Sequence, residues 1–217
     1  MTTAGVVLAG GRSRRMGRDK AVLRRDGTTL LAHVLDVLAA AVDGPLVVVG
    51  AADTPRELPP ETAGRPWRAR CAVVADPVAD RGPLLGLATG LSAVRGATTA
   101  FVAAVDLPHL HTDLVRAVLA HRVPPVEVAL PILDGHRQHL LAAYATELAG
   151  RAEDLLARGE RSVGALIAAS RVRELDAATL LADPGLAARD PGLLGACGVN
   201  TPEEWERARR EQPGGRT

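Results

Sequence analysis

Hydrophobic residues along the chain alternate between short continuous runs and longer stretches at helical spacing. Short apolar runs bounded by turn residues are typical of buried strands, and apolar residues repeated every three or four positions predict helices. The pattern predicts strands at residues 3–9, 46–51, 71–76, 98–106 and 126–133, and helices at residues 28–42, 82–96 and 110–121. Strands and helices in alternation indicate βαβ units, and therefore an α/β fold whose mostly parallel sheet is covered on both faces.

After about residue 135 the pattern becomes helical, with helices predicted at 142–159, 162–170 and 201–212. The last of these begins with Thr201 as N-cap and Pro202 in the first turn, and Thr112 is predicted to cap the helix at 110–121. Prolines and glycines predict loops at 52–70, with a short helical turn at most, and at 183–195. We expect one domain over 1–217, with a nucleotide-binding half (1–134), a second half (135–211) and a frayed tail (212–217).

Composition excludes several classes of protein. The 217 residues are 47% hydrophobic, which is enough for a folded core, and 26 basic against 25 acidic residues leave a net charge of +1. This balance argues against a nucleic-acid binder or a polybasic membrane binder. No apolar run approaches the roughly 18 residues of a membrane span, and the start lacks the basic region of a secretory signal. Two cysteines form neither a disulfide framework nor a zinc cluster, so we expect a cytoplasmic protein.

The segment after the first strand, which we call the basic loop (residues 10–20), concentrates positive charge. Gly10 and Gly11 allow close backbone approach to an anion, and five cations follow within nine residues: Arg12, Arg14, Arg15, Arg18 and Lys20. Its spacing fits neither a P-loop nor a dinucleotide fingerprint. Lys20 is the only lysine of the chain, which favours a phosphate site over a solvated turn. Asn200, the only asparagine, is a candidate for the same reason.

Carboxylates follow two of the predicted strands. Asp106 ends a strongly apolar strand, and Asp76 has the same position on its own strand. Ligands of open α/β sheets bind outside the carboxyl ends of the strands, so both residues and the basic loop should lie at one edge. A carboxylate that faces a phosphate loop can hold Mg²⁺ with few other protein ligands. The alternative for each is a turn-forming aspartate before proline or leucine.

Three glycines, Gly82, Gly86 and Gly90, leave the start and one face of the helix at 82–96 without side chains. We interpret this as room for a ligand. Close packing of the helix on the sheet is the alternative.

Five segments resemble the molybdenum cofactor guanylyltransferases, among the MobA-like nucleotidyltransferases. They are LAGGRSRRMGRDKAVL (8–23), DPVADRGPLLGLATGL (76–91), DLP (106–108), GERSVGAL (159–166) and VNTPEEW (199–205), in the order that the family has them. The resemblance implies a Rossmann-like three-layer nucleotidyltransferase fold and transfer of GMP from GTP to the phosphate of molybdenum-bound molybdopterin. It also implies Mg²⁺ as cofactor, and transient contact with cofactor-supplying or molybdoenzyme-maturation proteins.

The resemblance also assigns roles to residues. Lys20, Arg15 and Asp106 are the expected catalytic residues, with Asp106 as the Mg²⁺ ligand. The nucleotide-binding residues expected from the motifs are Leu8, Ala9, Gly10, Gly11, Ser13, Lys20, Asp76, Gly82 and Asp106. For the anionic acceptor we expect Arg161, Ser162 and Asn200. The LAGG form of the loop, through Gly10, favours guanine over cytosine.

Departures from the family fall in the second half. Gly198 stands where members often have a second asparagine, His139 replaces a frequent proline, and residues 183–195 have no counterpart. Two alternatives therefore stay open. One keeps the fold and changes the substrate, to a cytidylyltransferase or a nucleotidyltransferase for a phospholactate or sugar phosphate. The other is a non-catalytic protein that binds nucleotide or cofactor.

Overall fold

The computed structural model describes residues 2–10, 16, 19–53, 56–78 and 82–211 of the chain. Its strands, in chain order, are β1 (Thr3–Leu8), β2 (Arg24–Arg25), β3 (Thr28–Thr29), β4 (Leu46–Gly50), β5 (Cys71–Ala75), β6 (Thr99–Ala104), β7 (Val128–Leu133), β8 (His136–Arg137), β9 (Leu141–Ala145) and β10 (Val172–Leu175). The helices are α1 (Leu30–Ala41), α2 (Pro83–Ala93), α3 (Thr112–Ala120), α4 (Leu148–Ala157), α5 (Val163–Ala168), α6 (Ala177–Leu181), α7 (Pro184–Arg189) and α8 (Pro202–Arg210).

The main sheet has the order β10-β7-β9-β6-β1-β4-β5, with β8 paired to β7, while β2 and β3 form a separate hairpin. β1 pairs in parallel with β4 and β6, and only β9 runs against its neighbours β6 and β7 along this path. From β1 the chain builds outward through β4 to β5 and then returns to the other side of β1 as β6. This reversal opens a crevice outside the carboxyl ends of β1 and β6, the usual ligand position in such sheets.

Helices cover both faces of the sheet, which gives the predicted three-layer α/β fold. Alternating side chains of the strands point to opposite faces, so Val7 and Val48 pack under α1 and α3, whereas Val6 and Val49 pack under α2. A third, smaller apolar cluster joins the basic loop to the C-terminal helix α8; its buried members are Met16, Leu23, Leu30, Val199, Trp205 and Ala208. The crevice is therefore bounded by residues from both ends of the chain.

The prediction of a helix from residue 142 was wrong at its start. Leu141–Ala145 is the antiparallel strand β9, fully enclosed between β6 and β7, and helix α4 begins only at Leu148. A strand buried on both faces shows no alternation, and its alanines have high helix propensity, so periodicity and propensity both favoured a helix there. Tertiary pairing overrode them.

The prediction of a long loop at 183–195 was also wrong. Asp183 accepts a hydrogen bond from the Leu186 amide (2.8 Å) and Pro184 occupies the first turn of α7, which is a standard helix start. A short 3₁₀ turn, Leu194–Ala196, follows. Two 3₁₀ turns, Pro60–Thr62 and Pro66–Arg70, lie within the 52–70 loop.

Two smaller predictions concern helix starts. The cap of α3 is His111, whose ring accepts from the Leu114 amide at 3.4 Å, so Thr112 is the first helical residue and does not cap it. Thr201 does cap α8, as predicted, and Pro202 follows it.

The expectation that the three glycines leave room for a ligand was wrong at Gly90. A β-carbon there would lie 2.4 Å from Val6 Cγ1 and 3.2 Å from Val49 Cγ2, so this glycine lets α2 pack directly on the sheet. A β-carbon at Gly86 would lie 3.6 Å from Asp76 Oδ2 and 3.7 Å from the Leu8 side chain, which is ordinary contact. Gly90 therefore serves packing, whereas Gly86 lies beside the Asp76 carboxylate.

Candidate active site

Three polar side chains meet in the crevice beside β1 and β6. The Lys20 ammonium donates to Asp106 Oδ2 at 2.7 Å and to Asn200 Oδ1 at 2.9 Å. The Lys20 side chain is 13% exposed and that of Asp106 is 21% exposed, so the ion pair is partly shielded from water. The two residues that stood out as single occurrences in the sequence are in direct contact. We call this group the Lys20 cluster (Lys20, Asp106 and Asn200).

Backbone hydrogen bonds hold the segments that carry Lys20 and Asp106. Lys20 begins a 3₁₀ turn, Lys20–Val22, which Asp19 caps by accepting from the Ala21 amide at 3.0 Å. Asp106 follows β6 by two residues, and its carbonyl accepts from the Val199 amide at 2.9 Å. That bond ties the segment before α8 to the end of the central strand.

Residues 200–204 (NTPEE) form the capped start of helix α8. The Thr201 hydroxyl accepts from the Glu204 amide at 3.2 Å, and Glu204 Oε2 accepts in return from the Thr201 amide, which completes a capping box. The same carboxylate accepts from the Asn200 amide. The capping box therefore also fixes the backbone of Asn200, whose side chain reaches Lys20.

The donor set of the cluster fits a magnesium ion. Mg²⁺ prefers oxygen ligands and is commonly held by one or two carboxylates together with water and substrate phosphates. Asp106 supplies a carboxylate and Asn200 an amide oxygen. A β-carbon at Gly198 would lie 3.5 Å from Asp106 Oδ1, so no side chain of that residue covers this oxygen. Among the described residues, no group of three or more histidine, cysteine or acidic side chains could hold a metal alone.

Asp76 lies at the same edge, immediately after β5. Burial raises the pKa of the Asp76 carboxyl above its usual value, although the nearby Thr89 side chain on α2 partly opposes this rise. Oδ1 is buried and has no hydrogen-bond partner in the described part of the chain. A buried acceptor without a donor is costly, so this atom is suited to a donor supplied by a ligand.

The strand that leads into the basic loop is tightly packed. The Ala9 amide donates to the Val49 carbonyl at 2.9 Å, which continues the pairing of β1 and β4. A β-carbon at Gly10 would lie 3.1 Å from the Ala51 amide nitrogen and 3.3 Å from the Gly50 carbonyl carbon. Gly10 therefore lies where two backbones approach closely, and a side chain there would force the neighbouring backbone to shift. Leu8 is buried under α2.

Gly82, Arg161 and Ser162 form a second group, at the start of α2. Gly82 has φ +82°, and a β-carbon there would lie 2.9 Å from the Arg161 carbonyl oxygen. The Leu84 amide donates to that same oxygen at 3.4 Å. Ser162 caps α5 by accepting from the Gly164 amide at 3.0 Å, and both Arg161 and Ser162 are exposed.

The structure thus divides the predicted acceptor residues between two places. Asn200 lies with Lys20 and Asp106, whereas Arg161 and Ser162 lie with Gly82. Gly11, Ser13 and Arg15 fall outside the described residues, as do Arg12, Arg14 and Arg18.

Sequence reasoning missed three residues that hold this edge together. Glu204 anchors Asn200, and Asp19 caps the turn that begins with Lys20. Arg56 contacts both the start and the end of the basic loop, through the Ala9 carbonyl and Asp19. Glu204 was detectable from the Thr-x-x-Glu capping pattern, but the partner of Arg56 is 37 residues away and depends on the fold.

A mostly parallel sheet with a basic loop, a strand-end carboxylate and a lysine at its switch point defines a nucleotide-binding α/β protein. No helix of the described residues is long and apolar enough to span a bilayer.

The chain belongs to the MobA-like NTP transferase family, whose domain model matches residues 5–175. It is therefore a nucleotidyltransferase. A probable molybdenum cofactor guanylyltransferase of Mycobacterium avium is 41% identical over 181 residues, which cover 81% of this chain and 85% of that protein. A protein with the same description from Mycolicibacterium paratuberculosis is 42% identical with the same coverage.

Solved structures agree on the fold. Molybdopterin-guanine dinucleotide biosynthesis protein A from Archaeoglobus fulgidus superposes with a TM-score of 0.69 at 22% identity, over 95% of this chain and 97% of that one. A 2-C-methyl-D-erythritol 4-phosphate cytidylyltransferase from Thermus thermophilus gives 0.65 at 19% identity, over 97% and 98%. The predicted three-layer fold, with its mostly parallel sheet, is confirmed.

Proposed function

We propose that this protein transfers GMP from GTP to the phosphate of molybdenum-bound molybdopterin in the cytoplasm and releases pyrophosphate. The observation that supports this most is the Lys20 cluster, which lies at the switch point of the sheet in a chain about 40% identical to probable molybdenum cofactor guanylyltransferases. The first half of the chain (1–134) would hold the nucleotide, and the second half (135–211) most of the acceptor.

The reaction is an in-line displacement at the α-phosphorus of GTP. An oxygen of the acceptor phosphate forms the new P–O bond, the bond between the α-phosphorus and the bridging oxygen breaks, and that oxygen leaves with pyrophosphate. Because the attacking phosphate is already ionised, no general base is needed, and the protein has to position the reactants and neutralise charge.

Different residues of the crevice would contact the phosphates, the metal ion and the nucleoside. Lys20 has three N–H donors and directs two of them at Asp106 and Asn200, which leaves one for a phosphate oxygen. Arg15 is expected to contact the phosphates as well. Mg²⁺ held by Asp106 and Asn200 would supply positive charge for the triphosphate, would compete with Lys20 for these oxygens, and would leave more of the Lys20 donors free for phosphate. Asp76, with its buried unpaired oxygen, is suited to accept from the nucleoside.

A separate cleft of about 560 Å³ at the carboxyl end of β7 is a candidate for part of the acceptor site. Its lining includes His136, Arg137, His139 and Gly164. Gly164 is the residue whose amide Ser162 caps, and Ser162 follows Arg161. Glu174 also lines the cleft and pairs with Arg137, so the donors left for a ligand are mainly the imidazoles of His136 and His139. Imidazole donors suit an acceptor that bears a polar ring system.

Pyrophosphate release with each nucleoside triphosphate and Mg²⁺, with and without molybdenum-loaded molybdopterin, tests the proposal. We expect release with GTP and only when the acceptor is present. Release with CTP instead would identify a cytidylyltransferase. GTP turnover with a sugar phosphate or phospholactate, but not with the pterin, would identify a different acceptor. No release with any combination would favour a binding protein.

Arg161→Ala should raise the KM for the acceptor about tenfold and leave the dissociation constant for GTP nearly unchanged, because the loss of one charge-assisted contact costs on the order of 1.4 kcal/mol. The measurement is a titration of each substrate against the variant. Arg158→Ala, which replaces an exposed arginine at the end of α4, is the control. A weakened GTP affinity with an unaltered acceptor KM would place Arg161 on the nucleotide side.

A further inference from the structure

Arg56 connects the two ends of the basic loop. Its guanidinium donates through Nη1 to Asp19 Oδ2 at 2.6 Å, and through Nη2 to the Ala9 carbonyl at 2.7 Å and to Asp19 Oδ1 at 3.4 Å. Ala9 is the residue at which β1 passes into the loop, and Asp19 is the residue before Lys20. One side chain, from the segment 52–70 that the sequence predicted to be a loop with a short helical turn at most, therefore contacts residues on both sides of the loop.

The Arg56 side chain is largely buried, so its contacts are part of the folded structure and not surface contacts. The side chain of Arg56 is only 11% exposed, although that of Asp19 is 40% exposed. Nε of Arg56 is buried, with no hydrogen-bond partner among the described residues. The planar fork of a guanidinium can bind a carboxylate and a carbonyl at once, which the single ammonium of a lysine does less well.

The charge of Asp19 gives this arrangement a consequence for nucleotide binding. Asp19 precedes the lysine that is expected to contact phosphate, so an unpaired carboxylate there would repel a triphosphate and compete for Lys20. Arg56 neutralises that carboxylate and fixes the loop ends before the ligand arrives. Both effects favour anion binding, the first by electrostatics and the second by preorganisation.

We propose that Arg56 is a positioning residue that sets the affinity of the crevice for a nucleoside triphosphate, because it neutralises Asp19 and ties it to the Ala9 carbonyl at the end of β1. The inference rests on the proposed function only in taking a nucleoside triphosphate as the ligand. It is independent of the acceptor and of which base the protein selects.

Arg56→Met, which keeps the length of the side chain and removes its charge, should weaken binding of GTP with Mg²⁺ about tenfold in calorimetric titrations without acceptor. In turnover assays the KM for GTP should rise and kcat should change much less. Arg56→Lys should bind with intermediate affinity, because it restores the charge without the fork. Arg95→Met is the matched control: Arg95 pairs with Glu153 (3.0 Å) beyond the end of α2, at the opposite edge of the sheet.

A double substitution separates this role from a merely structural one. If the unpaired Asp19 carboxylate causes most of the loss, Asp19→Asn combined with Arg56→Met should bind GTP more tightly than Arg56→Met alone. If Arg56 only supports the fold, the double variant should bind GTP no more tightly than Arg56→Met. Melting temperatures without nucleotide show whether each variant is folded, and Arg56→Lys extends the test if Arg56→Met is not.

The outcomes are distinguishable from a failure of the proposed function. If wild type binds GTP normally and Arg56→Met binds it with the same affinity, the role of Arg56 is overturned and the proposed function is not affected. The same holds if Arg56→Met binds GTP more weakly but the double variant does not regain affinity. A wild-type protein that binds no nucleoside triphosphate would overturn both. Binding of a triphosphate other than GTP, with the same pattern among the variants, would support the role of Arg56 and contradict only the choice of base.

Discussion

Lys20→Ala should lower the rate of pyrophosphate release about 10²–10³-fold, which corresponds to about 2.7–4 kcal/mol of transition-state stabilisation. The ammonium lies 2.7 Å from Asp106 and 2.9 Å from Asn200, at the point where the triphosphate is expected. No other lysine exists in the chain to replace it. A steady-state assay with GTP and acceptor measures the loss.

Although Lys20→Ala should lower the reaction rate, it should raise the affinity of the protein for a divalent metal ion when no nucleotide is present. In the structure the Lys20 ammonium neutralises Asp106, so a divalent cation must compete with it for the carboxylate. Removing the Lys20 ammonium should therefore tighten the binding of Mn²⁺ in the absence of nucleotide, as measured by electron paramagnetic resonance. Weaker metal binding in Lys20→Ala would show that Lys20 does not compete for Asp106.

Arg24→Ala is the control for a general loss of positive charge near the loop. Arg24 is exposed, lies four residues after Lys20 and pairs with Glu61 at 3.5 Å. It should retain nearly full activity. Near wild-type turnover in Lys20→Ala would contradict the assignment of Lys20 to the phosphates.

The first half of the fold was predictable because its elements are locally coded. β4 is an apolar run that ends in glycine, β1 and β6 are apolar runs followed two residues later by Gly10 and Asp106, and α1 and α3 have apolar residues at helical spacing. Strands and helices in strict alternation leave few alternatives to a parallel sheet. The predicted carboxyl-edge position of Asp106 follows from that topology alone.

The second half was less predictable because its structure depends on partners far along the chain. The alanine-rich β9 is a strand only because β6 and β7 lie on both sides of it. The contact of Lys20 with Asn200 joins residues 180 positions apart. It requires the small cluster in which Trp205 of α8 packs with Met16 and Leu23.

Single occurrence in the sequence singled out two residues that lie in contact, although it did not indicate where they lie. Lys20 and Asn200 were both singled out by their rarity, and the structure brings them together. Asn200 was predicted, with Arg161, to bind the acceptor, whereas the Val199–Asp106 bond and the α8 capping box place it beside Lys20 and Asp106. Arg56, one arginine among 25, had no comparable signal.

Asp106→Asn should lower activity about tenfold or more at moderate Mg²⁺ and raise the Mg²⁺ concentration needed for half-maximal rate about tenfold, equivalent to about 1.4 kcal/mol. The amide keeps the shape of the side chain, and its oxygen can still accept from Lys20, so the protein should remain folded. What it loses is the negative charge that makes an oxygen ligand attractive to a hard cation. The Asn200 amide oxygen, already bonded to Lys20, supplies no charge to compensate.

The measurement for Asp106→Asn is a magnesium titration of pyrophosphate release at fixed GTP and acceptor, with Mn²⁺ binding without nucleotide as a second readout. Asp26→Asn is the matched control, because Asp26 is exposed in a turn at φ 51°, a conformation that asparagine tolerates well. Its titration should coincide with that of wild type. If the curve for Asp106→Asn also coincides with wild type, the carboxylate serves only to close the turn after β6 and to pair with Lys20, and the metal must be held by the nucleotide and other residues.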